Sequence, residues 1–221
     1  MATEPSLESM LTALTNQMLA GKSYLTIANG LASADPVVLA TGKTFFGLTV
    51  EGNLQLAQIY AARLYDKTKG ALTMFSLVAA VKLAARDPKH SSKQAGLLQA
   101  AAEIETRISG LESILSSIKK RRDKAFAHLD PAFLDPQKLA ASAVLSLGDL
   151  AKVFEETGRM INEVNVVLRD TTGHFELFDI NDYKMVLSLI TDAKCAQVEK
   201  YEKEFGQPAP FDRPKNCPKP G

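Results

Sequence analysis

LLQAAAEIETRISGLESILSSIKKRRDKAFAHLD, residues 97–130, is the stretch whose reading decides the fold. Its apolar residues Leu97, Ala101, Ile104, Ile108, Leu111, Leu115 and Ile118 recur at intervals of 4, 3, 4, 3, 4 and 3. That spacing is a heptad seam and keeps all seven on one stripe of a helix. So long a stripe needs partner helices along its whole length, which predicts a helical bundle with this segment as its spine. The helix is expected to start at Ser91 or Ser92 and to end at Asp130-Pro131. Continuing the alternation lands on Arg122, Ala125 and Leu129, so an arginine stands where an apolar residue is due.

Flanking segments carry the same period. Ser6 is a suitable N-cap for a helix through Leu7, Met10, Leu11, Leu14 and Met18, with Gly21 as its expected stop. Tyr24 to Leu31 reads as a short helix or a continuation after a kink. Val37 to Lys69 reads as one long helix weakened by Gly42, Gly47 and Gly52, and Ala71 to Arg86 as another, broken by Asp87-Pro88. A short helix is expected over Leu139 to Val144. Ser146 should cap a helix running to about Asp170, and Asp179 or Asn181 one over Asp182 to Glu204. Only Phe45 to Val50 and Phe175 to Ile180 resemble strands, and neither has a hairpin turn. The expected fold is therefore all-α: an up-and-down bundle of about five to six helices with a long central helix. Residues 1–205 form one domain in this reading, and 206–221 a Pro-rich C-terminal tail, flexible or draped on the surface.

The totals restrict the function. The chain has 221 residues, 46% hydrophobic and 23% charged, with a net charge of +1. No global field draws it to nucleic acid or membrane, so any such binding needs a local patch. The start lacks the pattern of a signal peptide and no apolar run is long enough for a membrane helix, so a cytoplasmic protein with no membrane partner is expected. Cys195 and Cys217 have no zinc or redox spacing, and their scarcity fits a reducing compartment.

Two stretches imitate a phosphate-binding loop, Gly21-Lys22-Ser23 and Gly42-Lys43-Thr44. Both lack the earlier glycine that lets the backbone wrap phosphates, with Asn16 and Val37 in its place, and neither follows a strand. They read as helix ends or flexible helix positions. His90, His128 and His174 lie far apart and no di-iron spacing occurs, so no metal and no cofactor are expected.

Chemistry concentrates at the end of the seam. Lys119, Lys120, Arg121, Arg122 and Lys124 complement the C-terminal end of a helix dipole, which by itself accounts for most of the charge there. Arg122 in the seam and His128 near it resist that account. A histidine with a reference pKa of about 6.5 exchanges a proton with a ribose 2′-hydroxyl or a leaving oxygen near neutral pH. An arginine holds a phosphate and stabilises charge developing on it. Together they suit RNA cleavage without a metal, with Lys119, Lys120, Arg121 and Lys124 attracting the backbone. On a straight helix, at roughly 100° per residue, Arg122 and His128 lie about 120° apart. They converge only if the helix end bends or a second copy contributes.

Arg122-Asp123-Lys124-Ala125-Phe126-Ala127-His128 resembles the R-x(4–6)-H motif of the HEPN superfamily, with a polar residue directly after the arginine. The longer string R-D-K-x-x-A-H-x-D resembles the branch named for abortive-infection U-type phage-defence proteins. The resemblance implies a helical bundle that forms a homodimer and joins two motifs into one composite ribonuclease site. Carried over residue by residue, Arg122 binds and polarises phosphate, His128 is the acid/base, and Asp123 orients one of them. RNA is then the substrate, in a phage-defence or toxin–antitoxin setting with an antitoxin protein as a further partner. The alternative is a non-catalytic helical interaction module in which Arg122 and Asp123 staple helices, and a third reading is a bundle that binds a small ligand.

Overall fold

The computed structural model describes residues 5–123, 143–173, 175, 180 and 182–217. Among these there are eight α-helices and no strand, so the fold is all-α. No described helix is long and apolar enough to cross a membrane.

The seam is carried by α5 (Gln94–Gly110) and α6 (Glu112–Arg121). Leu97, Ala101, Ile104, Ile108, Leu111 and Ile118 are buried, and Leu115 is half-buried. Burying each leucine or isoleucine contributes roughly 1.5–3 kcal/mol, so the stripe is the main apolar anchor of this region. The single spine expected from the pattern is divided at Leu111. Gly110 is a weak helix former, and Leu111 (φ −98°, ψ −2°) tightens to a bond with the Ile108 carbonyl at 3.0 Å. Ser91 and Ser92 do not start α5. They lie in a 3-10 turn, Pro88–Lys93, led by Asp87, whose carboxylate accepts from the Lys89 N–H at 2.9 Å.

Helix α1 (Leu7–Ala32) begins after Ser6, whose hydroxyl accepts from the Ser9 N–H at 3.2 Å. It runs straight through Gly21, where a stop is expected. A Cβ on Gly21 would lie 2.4 Å from the Phe154 ring and 2.9 Å from Tyr60 Cβ, so this glycine serves close packing. Residues 37–69 are not one helix. They form α2 (Pro36–Ala40), a turn at Thr41-Gly42, and α3 (Lys43–Leu64), which takes in the strand candidate Phe45–Val50. Helix α4 (Met74–Ala84) starts later than the pattern indicates because Thr73 and Ser76 form a reciprocal capping box. Ser146 and Asp149 form another at the head of α7 (Leu147–Arg169), which stops where Asp170 turns left-handed. Helix α8 (Asp182–Phe205) ends at Gly206, whose φ of +64° suits a residue without Cβ. The short helix expected over 139–144 and the candidate strand 175–180 lie largely outside the described residues.

Two compact units result, residues 1–25 with 55–177, and residues 26–54 with 178–221. In the first, α5 packs against α4 and α7. Arg107 ties α5 to α7, donating to Glu156 and Glu163 at 2.9 Å each. Lys82 joins α4 to Glu105 of α5 at 2.7 Å. Lys22 and Ser23, from the first phosphate-loop lookalike, donate to the Phe175 and Leu19 carbonyls, as ordinary helix residues do.

In the second unit α2 packs against α8. One Asp35 oxygen accepts from the Val37 N–H at 2.9 Å and the other from the Lys215 N–H at 2.7 Å. These bonds, that from Lys215 foremost, hold its carboxyl below the usual range. Residues 207–217 lie along α8: Phe211 meets Tyr201 edge-on and Arg213 pairs with Glu202 at 2.6 Å. Cys195 and Cys217, to which their spacing assigns no role, are joined in a disulfide. Such a bond is uncommon in a reducing compartment, so it pulls against the cytosolic expectation.

Gly21→Ala gains helix propensity of about 1 kcal/mol but forces a methyl into the fully buried Phe154 ring. Overpacking of this kind costs typically 1–3 kcal/mol, so the variant should unfold at lower urea concentration than the parent. Unchanged or raised stability would mean that α1 does not approach α7 this closely. Cys217→Ser opens a covalent loop spanning 22 residues, worth about 3 kcal/mol in the chain-entropy account. Its melting temperature should fall, and protease should cut residues 206–217 faster than in the oxidised parent.

Candidate functional site

The seam changes character after Ile118. At Arg122 and Asp123 the α-helical bonding of α6 widens to a π-type turn, a local departure found often at functional positions. Arg122 is the next seam position, and its side chain is 27% exposed. It does not extend into solvent. Its Nε donates to Asp123 Oδ1 at 2.7 Å and its Nη1 to Asp66 Oδ2 at 3.0 Å. The bond to Asp123 foremost raises an already high guanidinium pKa further; burial opposes it, and the charges of Asp123 and Asp66 add to the rise.

Asp66 is itself held. Thr68 donates to its Oδ1 twice, from Oγ1 at 2.8 Å and from the backbone N–H at 3.0 Å. Those two bonds, and then Arg122, keep the Asp66 carboxyl below its ordinary range. The preceding residue fixes this turn to the core. Tyr65 is buried and its hydroxyl bonds Thr157 Oγ1 at 2.7 Å, while Thr157 donates to the Val153 carbonyl. Burial pushes the Tyr65 phenol far above its usual range, so it remains a neutral hydrogen-bonding group. A chain of contacts thus runs from α7 through Tyr65 and Asp66 to Arg122.

Arg122 and Asp123 line a cavity of about 610 Å³, together with Asp66, Lys67, Phe75, Glu112 and Lys119. Leu115, the one half-exposed member of the seam, also faces it. The cavity is open to solvent, and its wall is not uniformly basic. Lys67, Lys119 and Arg122 are matched there by Asp66, Glu112 and Asp123.

The remaining residues singled out in the sequence are placed as follows. Lys119 and Lys120 are exposed on α6. Arg121 is part-buried and donates Nε to the Ala143 carbonyl at 2.7 Å; burial lowers its pKa. Lys124 and His128 lie outside the described residues, so the structure brings together Arg122 and Asp123 but is silent on His128. Asp66 was not legible as a partner of Arg122. It sits 56 positions away in the chain, in a polar turn of the kind that ends most helices.

A family model described as AbiU2, of HEPN type (HEPN_AbiU2), matches residues 6–186. No curated protein and no solved structure is detectably similar to the chain. The match begins at the head of α1 and runs into α8, and it contains the Arg122–His128 stretch. With most of the chain covered and an all-α fold around that stretch, the protein belongs to the AbiU2 family of the HEPN superfamily, the abortive-infection branch.

Proposed function

We propose that this chain is a metal-independent endoribonuclease of HEPN type, cleaving RNA at a composite site to which two copies each contribute Arg122, Asp123 and His128. The observation that carries the reading is the clamp on Arg122. A seam residue that is cationic, turned toward an open cavity and gripped by two carboxylates is oriented before any ligand arrives. Such preorganisation is what lets a donor stabilise charge on a phosphate at the moment of reaction. Nε and Nη1 are occupied, and Nη2 has no carboxylate among the described residues, which suits it to an anionic oxygen.

In this reading Nη2 of Arg122 binds a non-bridging phosphate oxygen. His128 takes the proton of the ribose 2′-hydroxyl, whose oxygen attacks the adjacent phosphorus. The bond to the 5′-oxygen breaks, that oxygen leaves with a proton from the histidine of the second copy, and a 2′,3′-cyclic phosphate remains. Asp123 orients Arg122. Lys119, Lys120 and Lys124 attract the backbone, Arg121 less so because its Nε is committed to Ala143. The biological setting is phage defence or a toxin–antitoxin pair, with an antitoxin protein as the restraining partner.

One observation favours the second reading, a non-catalytic interaction module. The two ion pairs that Arg122 makes among the described residues join α6 to the turn after α3, as a staple would. The two readings separate on variants. Incubated with RNA and a chelator, the parent should cleave. His128→Ala should lose about 100-fold or more, the usual weight of a general acid–base, and Arg122→Ala a similar amount. Both should keep their circular dichroism spectrum. Unaltered cleavage in either variant, or cleavage abolished by the chelator, overturns the proposal.

Asp66→Asn tests the clamp. The pair is partly exposed, so its loss should cost about 1 kcal/mol or less of stability. Misplacing the guanidinium should nevertheless slow cleavage roughly 10- to 100-fold. A staple alone predicts the stability loss with no change in any RNA measurement. The pH dependence has a definite sign. Asp66 has a lowered pKa when folded, so the clamp is complete above the ordinary carboxylate range and fails only as pH drops below it. A limb in the cleavage rate between pH 5 and 8 should therefore disappear in His128→Ala and persist in Asp66→Asn.

A further inference from the structure

We propose that the cavity beside Arg122 is a subsite for one unstacked guanine base of single-stranded RNA. The RNA origin of the base rests on the ribonuclease reading; the chemistry of the cavity stands apart from it. At about 610 Å³ the space falls in the range of small-molecule sites and holds a base with its ribose. Among the described residues the wall carries as many cationic as anionic side chains, so the cavity itself is not a groove for a run of phosphates. They suit a neutral ligand with polar edges, attached to the single phosphate that Arg122 holds.

Phe75 supplies a surface for stacking. It is half-buried, and Tyr65 meets it edge-on with centroids 6.4 Å apart and planes at 84°. Tyr65 is locked to Thr157, so the ring is held before a ligand binds. The ammonium of Lys67 rests over the Phe75 ring, 5.3 Å from its centroid. Lys67 is exposed, and an incoming base takes its place on the ring face.

Glu112 supplies the selection. It stands in the first turn of α6, and among the described residues its carboxylate makes no hydrogen bond or ion pair. The other two carboxylates on the wall are engaged by Arg122. An ionised carboxylate only accepts, and its two oxygens take two parallel donors. Guanine alone among the RNA bases presents two adjacent donors, N1–H and N2–H, on its pairing edge. Adenine, cytosine and uracil set an acceptor beside their donor, which the carboxylate repels.

The test is calorimetric titration of the full-length chain with the four ribonucleoside 5′-monophosphates. Guanosine monophosphate should bind about tenfold tighter than the others, the typical weight of one bidentate base contact. Glu112→Gln should remove that preference, and Phe75→Leu, which keeps the bulk, should weaken all four about fivefold or more. Circular dichroism and melting of both variants should match the parent. Equal binding of the four, no binding, or a preference that survives Glu112→Gln overturns the subsite. A second arm uses the His128→Ala chain with short oligoribonucleotides. Tighter binding of a guanine-containing strand than of one lacking guanine supports RNA as the source; binding of the free nucleotide alone overturns it. Cleavage of RNA without any guanine preference sinks the subsite and leaves the ribonuclease reading standing. Guanine recognition without cleavage does the reverse.

Discussion

One stripe of apolar side chains, from Leu97 to Ile118, constrains the rest of the first unit. It has to be covered, and α4 and α7 cover it along α5. The polar ties fall into line with that packing. Arg107 reaches two glutamates of α7, and Lys82 pairs with Glu105, from positions flanking the buried stripe. These pairs are partly exposed and contribute little each, so the burial sets the geometry and the ion pairs follow it.

Among the described residues, the candidate site is where that covering thins. Leu115 is only half-buried, Ile118 is the last buried member, and Arg122 arrives at the next position of the stripe. A cation cannot be packed among side chains such as Leu97 or Ile104 without severe desolvation cost. The packing therefore opens, and a cavity takes the place of core. Two carboxylates reach the guanidinium at its edge, one a chain neighbour and one brought from the turn after α3. A rigid path behind them, Thr68 to Asp66 and Tyr65 to Thr157, places the second carboxylate with little freedom.

Helix punctuation illustrates how local signals are overridden. Gly21 has every mark of a helix stop, yet α1 passes through it because the glycine is needed against Phe154 and Tyr60. Gly110 carries a weaker mark, and there the spine does break; a Cβ at this position would meet nothing within 4 Å, so close packing does not require the glycine. The caps at Ser146 and Thr73 act through bonds within three residues, and they function as their spacing indicates. The segment 207–217 is a different case. Its prolines exclude a helix, but a disulfide, an Arg213–Glu202 pair and a Phe211–Tyr201 contact tie it down.

What the sequence determined by itself is what depends on near neighbours. The 4-3 spacing settles an all-α fold, and short-range hydroxyl and carboxylate patterns settle where α7 begins. The misfit of Arg122 in its stripe marked the candidate site, and the R-x(4–6)-H resemblance around it pointed to the family that the chain belongs to. Tertiary structure decided the rest. That Asp66 grips Arg122, that Phe75 and Glu112 share its cavity, and that Cys195 meets Cys217 all depend on distances between residues far apart in the chain. Periodicity reports which face of a helix is apolar. It carries no information on which residue of another helix will stand opposite, because that is fixed only when the faces pack.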